Sequence, residues 1–209
     1  MKQQIEDYCD YYHNTTFKHE ILEGTVVDSI IDFAETKPFD LIIMGTKGAG
    51  KKNDKFIGSN ASGVIRKVNC PVLVIPEQAS YKQIRKIVYA LDYKNTNVDP
   101  IRDLKSFANK TDAEIILLHV SQMKHYFEGS KMDNYRNAMT AVADYDHFRF
   151  EFVESEDICQ AIEEFVQKHD IDVLAILTKD YHLIQRAYDK SPIKKMLFYG
   201  EMPLLVFHE

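Results

Sequence analysis

The sequence of 209 residues has no tryptophan, only three cysteines, and few glycines and prolines. Cys9, Cys70 and Cys159 are widely spaced and form no Cys-x-x-Cys pair, which argues against a disulfide framework or a zinc site and favours a reducing compartment. No apolar run reaches the roughly 20 residues of a membrane span, and the N-terminus lacks the apolar core of a secretory signal. The sequence therefore predicts a cytoplasmic protein with no membrane partner.

Positive charge is also in the minority. There are 32 acidic against 26 basic residues, a formal net charge of −6, so the composition predicts no nucleic-acid partner. One segment departs from this balance, because residues 44–68 hold six basic side chains and one acidic one. The hydrophobic content of 45% and the charged content of 28% are those of an ordinary globular protein.

The sequence matches itself at an offset of 132 residues. Residues 17–77 align with residues 149–209 without a gap, and we call these stretches the first copy and the second copy. FDLIIMGT at 39–46 thus meets IDVLAILT at 171–178, with identities that include an aspartate and a threonine. Agreement in two strands and in the helix between them indicates a duplicated structural unit.

Residues 82–132 precede the second copy and have no counterpart before the first. We therefore expect a complete domain over residues 81–209, preceded by a partial domain over residues 1–80 that lacks a first strand, a first helix and a second strand. An open reading frame upstream of Met1, encoding a strand that ends in aspartate, would complete the partial domain.

Hydrophobic periodicity predicts strands that alternate with helices. Strands are predicted at 40–44, 71–75, 85–92, 114–120, 147–153, 172–177 and 203–207. The strand at 40–44 is expected to be buried, and the strand at 147–153 is expected near the sheet edge. Helices are predicted over 131–143 and after caps or starts at Thr25, Ser59, Asp99, Ser155 and Ser191. This alternation indicates an α/β fold with an open parallel five-stranded sheet sandwiched by helices.

A glycine-rich loop follows the first of these strands. Gly45 and Gly48 allow a sharp turn and a close backbone approach, while Gly58, Ser59 and Asn60 open the next helix, where free N–H groups attract anions. Open α/β sheets bind ligands beyond the carboxyl ends of their strands. The loop is therefore a predicted phosphate-binding site, with a lysine-rich surface loop as the open alternative.

The same loop is one residue short of a Walker A motif. In Gly45-TKGA-Gly50-Lys51-Lys52, a lysine stands where a serine or threonine would hold Mg²⁺. A cation beside the metal position is unfavourable, so a P-loop ATPase that depends on Lys51 is the less favoured alternative.

The spacing Gly45-x2-Gly48-x9-Gly58-Ser59, followed by a Cys-Pro-Val-Leu-Val strand, resembles the universal stress protein family. The resemblance implies an adenine-nucleotide alpha hydrolase-like sandwich that binds ATP or AMP, with Mg²⁺ accompanying ATP. It also implies dimers or tandem domains that pair through their last strands. The nucleotide residues that it implies are Met44, Gly45, Gly48, Gly58, Ser59 and Asn60, with charge support from Lys47 and Lys51.

The second copy has lost this loop. Leu177, Asp180 and Lys190 stand at the positions of the three loop glycines, and the aspartate that the family places after its first strand occurs only as Asp92. The family order is expected to place the first strand between the third and the fourth. Without that strand the first copy exposes apolar strand faces, so we expect a homodimer or other self-association through the last strands and the incomplete first domain.

No catalytic or metal-ligating set emerges from the eight histidines. His119 is expected to be a hydrogen-bonded core residue, and His125, His169, His182 and His208 are expected at the surface. We therefore expect a stress-response regulatory module that binds ATP or AMP and is not an enzyme, with at most weak ATP hydrolysis. A structural or dimerisation protein of the same fold, with no bound nucleotide, stays open as the alternative.

Overall fold

The computed structural model describes residues 16–46, 59–80, 82–90, 99–121, 140, 144–178 and 202–208. The elements in chain order are α1 Val26–Glu35, β1 Ile42–Gly45, α2 Ser59–Ile65, β2 Val72–Ile75, β3 Lys86–Ala90, α3 Asp99–Thr111, β4 Glu114–Ser121, β5 Phe148–Glu154, α4 Ile158–His169, β6 Val173–Leu177 and β7 Leu204–Phe207. The seven strands form one sheet in the order β1-β2-β7-β6-β3-β4-β5. The predicted α/β class is confirmed, whereas the helices predicted over 131–143 and after Ser191 fall largely or wholly outside the described residues.

The strands β3 to β7 form the predicted parallel set of five. Each neighbouring pair in the order β7-β6-β3-β4-β5 is parallel. The first strand of the set, β3, lies between the second and the fourth, so the expected position between the third and the fourth was wrong. The chain builds outwards from β3 through β4 to β5, and then returns across β3 to add β6 and β7 on the other side.

The two copies share one ladder register. Ile42 pairs with Val72 in the parallel ladder of β1 and β2, and Leu174 pairs with Leu204 at the same positions of the second copy. The copies meet where β2 runs antiparallel to β7. The last-strand pairing that the resemblance implied for dimers or tandem domains thus occurs within one chain, and both last strands have a neighbour on each side.

The strand β1 lies at one end of the sheet, and the expectation of a buried strand there was wrong. Its burial alternates, and Ile43 is 64% exposed because, in the described part of the chain, β1 pairs with β2 alone. Residues 16–22 are the counterparts of β5 but form no strand. The strand β5 pairs with β4, for which the first copy has no counterpart.

The opposite end of the sheet is β5, as its alternating sequence predicted. Its side chains are partly exposed along its length. Arg149 forms ion pairs with Glu114 on β4 and with Glu151 on its own strand. Charged side chains on an edge strand discourage the addition of further strands.

Helix α1 is capped and packed as its sequence predicts. Thr25 Oγ1 accepts the backbone N–H of Asp28 at 3.2 Å, which confirms the predicted cap. A Cβ atom at Gly63 of α2 would lie 2.7 Å from Cγ2 of Val27, so glycine allows the two helices to pack closely. Their residues join one core on this face of the sheet, and α3 covers a second core on the opposite face.

Two further predictions need correction. Helix α4 is capped by Asp157, whose Oδ1 accepts the N–H of Gln160 at 3.0 Å, and not by Ser155. Asp157 directly precedes the helix, whereas Ser155 Oγ bonds the backbone of Asp157. His208, expected at the surface, is half-buried with its Nε2 atom 2.7 Å from the carbonyl oxygen of Ile65. His119 is buried in β4, as predicted.

Candidate functional site

The glycine loop connects strand β1 to helix α2. Strand β1 ends at Gly45 and helix α2 begins at Ser59. Because α2 is the crossover between the parallel strands β1 and β2, its first residue lies at the edge where β1 ends. Gly48, Gly58, Lys47 and Lys51 lie outside the described residues.

The described residues of the loop are placed by the ladder of β1 and β2. Met44 is half-buried opposite Val74, whereas Gly45 and Asn60 are exposed. Thr46 is buried, and its N–H donates to the carbonyl of Ile75 at 3.0 Å, which fixes the chain as it leaves β1. An exposed glycine backbone on a fixed strand end is the kind of position from which a loop can reach an anion.

Thr46 is a structural residue of the site that the glycine spacing did not reveal. Its counterpart, Thr178, donates its hydroxyl to the carbonyl of Phe207 at 2.6 Å. Both threonines follow a strand of the same repeat position, so their identity between the copies was the available signal.

The second copy differs from the first at the position of Gly45. Leu177 stands there and is buried in the core beneath α3. Its side chain continues the apolar packing to the end of β6, where the first copy has a bare backbone. Asp180, Lys190 and Asp92 lie outside the described residues.

A cavity of about 750 Å³ lies at the other edge of the sheet, near the starts of β1 and β2. It is lined by residues of both copies and of α3, among them Asp40, Cys70, Asp103 and Phe107. Burial and the Asp40 carboxylate raise the pKa of the Cys70 thiol, which therefore stays protonated and is a poor nucleophile. Partial burial and the neighbouring Asp99 raise the pKa of Asp103. None of the described residues of the glycine loop lines this cavity.

Neither a metal-binding cluster nor a membrane-spanning helix occurs among the described residues. They contain no cluster of three or more histidine, cysteine, aspartate or glutamate side chains able to hold a metal ion. None of the helices in the described part of the chain has the length and apolar character needed to cross a bilayer.

Residues 3–76 match the sequence model of the universal stress protein family. This segment belongs to that family. A universal stress protein of Methanocaldococcus jannaschii is 46% identical over 56 residues, which are 27% of this chain and 33% of the relative. A universal stress protein of Thermus aquaticus is 36% identical over 55 residues, or 26% of this chain and 40% of the relative. The matched part therefore spans a third to two-fifths of these relatives.

The fold of the chain is similar to solved structures of the same family. A universal stress protein from Archaeoglobus fulgidus matches 100% of this chain and 76% of its own with a TM-score of 0.59 and 18% identity. At that identity the likeness concerns the fold alone. The family resemblance inferred from the glycine spacing is confirmed for the first copy by the match of residues 3–76.

Proposed function

We propose that the chain is a regulatory module that binds ATP or AMP through the glycine loop of its first copy. The module consists of a partial domain over residues 1–80 and a complete domain over residues 81–209. The carrying observation is the contrast at one repeat position, where Gly45 is exposed after β1 and Leu177 is buried after β6. A phosphate group needs the close backbone approach that the exposed glycine permits, whereas in the second copy the same position serves the apolar core.

The chemistry of the loop fits an anionic ligand. The sequence supplies Lys47 and Lys51 beside the loop glycines, in a chain whose net charge is −6. Phosphate groups bind backbone N–H groups and lysine side chains, and Mg²⁺ accompanies ATP. We propose no catalytic residue, so the module signals by occupancy and hydrolyses ATP weakly at most.

Isothermal titration calorimetry of ATP and AMP into the full chain tests the proposal. We expect binding, and we expect Gly48→Asp to weaken it at least about tenfold, because a carboxylate would repel phosphate. Asn109→Asp is the matched control, since it adds the same charge on the exposed side of α3 and should bind like the parent.

Two results would contradict the nucleotide site. If no heat of binding is measured at about 1 mM nucleotide, the fold has only a structural role, because even a weak nucleotide site binds detectably at that concentration. Equal binding by Gly48→Asp would place the nucleotide elsewhere. Mg²⁺-dependent phosphate release that disappears in Lys51→Ala would instead favour the P-loop ATPase.

The pairing of the last strands limits the surfaces through which the chain can associate. The antiparallel joint of β2 and β7 occupies inside one chain the edges through which a homodimer was expected. We therefore propose that association, with a second copy or another polypeptide, uses the incomplete first domain and its strand β1.

A further inference from the structure

Asp172 fixes the start of β3, the central strand of the complete set. Its carboxylate accepts the backbone N–H groups of Arg85 and Lys86 at 2.8 and 3.0 Å, and Lys82 Nζ lies 2.8 Å from it. Its own backbone N–H donates to the carbonyl of Lys86 at 3.0 Å. The side chain is only 10% exposed. One aspartate at the start of β6 thus binds the amino end of a parallel neighbour.

Asp40 is the same position of the first copy, just before β1. Its side chain is 95% exposed, and its carboxylate meets only Lys110, at 4.0 Å, among the ion pairs of the described residues. No described backbone N–H occupies the place that Arg85 and Lys86 hold beside Asp172. The acceptor carboxylate is present in both copies, and the described residues place a strand beside it in the second copy alone.

The ladder groups of β1 point to the same vacant side. Ile42 and Thr46 donate their N–H groups to β2 at 2.9 and 3.0 Å. Alternation along a strand turns the N–H groups of Leu41, Ile43 and Gly45 to the opposite side, where the described residues provide no neighbouring strand. The side chain of Ile43 offers an apolar contact on this edge.

We propose that Asp40 and the open edge of β1 bind an extended segment of another polypeptide, parallel to β1, with basic residues at its start and an apolar run after them. The template for this chemistry is β3. Two consecutive N–H groups at its start and the nearby Lys82 contact Asp172, and the run IVY at 87–89 then pairs with β6. The negative charge of Asp40 is complementary to such a basic start. Strand addition of this kind obtains affinity from main-chain hydrogen bonds and specificity from alternate side chains.

A second copy of the chain is a poor source for this strand. Within the chain, β3 lies at the centre of its own set, and its Ile87 and Val88 side chains are completely buried. Donating β3 to another molecule would unfold the donor. We therefore assign the segment to a different polypeptide.

The probe is a fluorescein-labelled peptide with the sequence of residues 80–92, SYKQIRKIVYALD, added to the full protein. Fluorescence anisotropy should show saturable binding, and Asp40→Ala should weaken it at least about tenfold because two hydrogen bonds to a carboxylate are lost. Asp32→Ala is the matched control, since Asp32 is an exposed carboxylate on α1 and should leave the affinity unchanged. Hydrogen exchange at Leu41, Ile43 and Gly45 should slow when the peptide binds.

A peptide carrying Val88→Pro separates strand addition from non-specific adhesion. In β3 the carbonyl of Lys86 faces β6, so by alternation the N–H of Val88 faces it too, and proline removes that donor. We expect this peptide not to bind. Equal binding of the two peptides, equal binding by Asp40→Ala, or no binding at about 1 mM protein would overturn the proposal. A dimer of the protein alone that Asp40→Ala dissociates would show that a second copy is the occupant, and the assignment to another polypeptide would be wrong.

Discussion

Leu73 and Leu205 face one another across the antiparallel ladder of β2 and β7. They are counterparts in the two copies, so the local two-fold axis of the sheet passes between them. Both side chains are buried in the core on the α3 face. The joint between the copies is therefore part of a hydrophobic core and more than a set of backbone hydrogen bonds.

Truncation of this pair should destabilise the whole chain. We expect Leu205→Ala to lower the free energy of unfolding by about 2–5 kcal/mol, because a fully buried leucine leaves a cavity. Leu73→Ala should cost a similar amount, and the double variant should cost less than the sum because one cavity is shared. Urea unfolding measures each value.

Ile21→Ala is the control for that series. Ile21 is 91% exposed, so its truncation should change the free energy of unfolding by less than about 0.5 kcal/mol. Strictly additive losses at Leu73 and Leu205 would show that the two side chains do not share a core.

The close contact of α1 with α2 predicts that Gly63→Ala lowers the stability of the protein, although the same change in a helix normally raises it. Alanine normally stabilises a helix by about 0.5–1 kcal/mol relative to glycine. Here we expect Gly63→Ala to destabilise by about 1–3 kcal/mol, because its Cβ would lie 2.7 Å from Val27 Cγ2. In a Val27→Ala background the nearest remaining atom is the Cβ, at 3.5 Å in the parent, so the same change should stabilise. Thermal unfolding of the four proteins tests this, and destabilisation in both backgrounds would contradict it.

Asp172 should contribute stability that depends on pH. Burial alone raises the pKa of Asp172, but Lys82 and the N–H groups of Arg85 and Lys86 outweigh it and hold that pKa below its ordinary value. The contribution is therefore complete above the unfolded pKa of about 3.9 and disappears as the pH falls through the folded pKa. At pH 7 we expect Asp172→Ala to lower the free energy of unfolding by about 1–3 kcal/mol.

Asp40→Ala is the internal control for Asp172, since it removes the same residue from the same repeat position at 95% exposure. Its effect on the free energy of unfolding should be below about 0.5 kcal/mol. Equal losses in the two variants, or a loss in Asp172→Ala that does not shrink under pH 4, would refute the strand-fixing role.

His208 should destabilise the fold as the pH falls. Burial lowers the pKa of His208 despite the opposing contact with the Ile65 carbonyl, so the unfolded chain binds the proton more readily. Stability should therefore decrease from about pH 6.5 down to the folded pKa. Burial, and after it the charge of Arg149, lowers the pKa of His169 as well. The comparison is therefore made between two proteins that both carry His169→Gln, one of which keeps His208. The further change His208→Gln should make the free energy of unfolding, measured with urea, depend less on pH between about pH 5 and pH 7. An unchanged dependence would exclude His208 as its cause.

Most of the fold could be predicted because each element carries its own local signal. The apolar run at Glu114–Ser121 and the cap at Thr25 identified β4 and α1 without knowledge of their neighbours. The errors arose where neighbouring strands decide whether a segment is buried or forms a strand. Ile43 is apolar like a buried residue, and residues 16–22 match β5, but the described part of the chain supplies neither with the further strand that would pair with it.

For the candidate site, the sequence could predict the chemistry better than the geometry. Glycine spacing identified Gly45 and its loss as Leu177, because backbone freedom is visible in residue type. The exposed Asp40 could not be recognised, although its identity with Asp172 was in view. The role of this aspartate position depends on the N–H groups of two residues, 87 and 86 positions away in the sequence, that donate to Asp172. The nucleotide-binding roles stay predictions for the whole set, which is Met44, Gly45, Gly48, Gly58, Ser59 and Asn60, with Lys47 and Lys51 as charge support.

The ion pairs of Arg149 limit the stoichiometry of any assembly built by strand addition. The described sheet has two terminal strands, β1 and β5, and the charged side chains of β5 discourage the addition of a strand there, so the sheet lengthens preferentially at β1. A chain with one acceptor end and no second one forms a complex of fixed size, because each added segment uses up the acceptor. Growth into fibres, the usual hazard of an unpaired edge, is thereby discouraged at the far end of the same sheet.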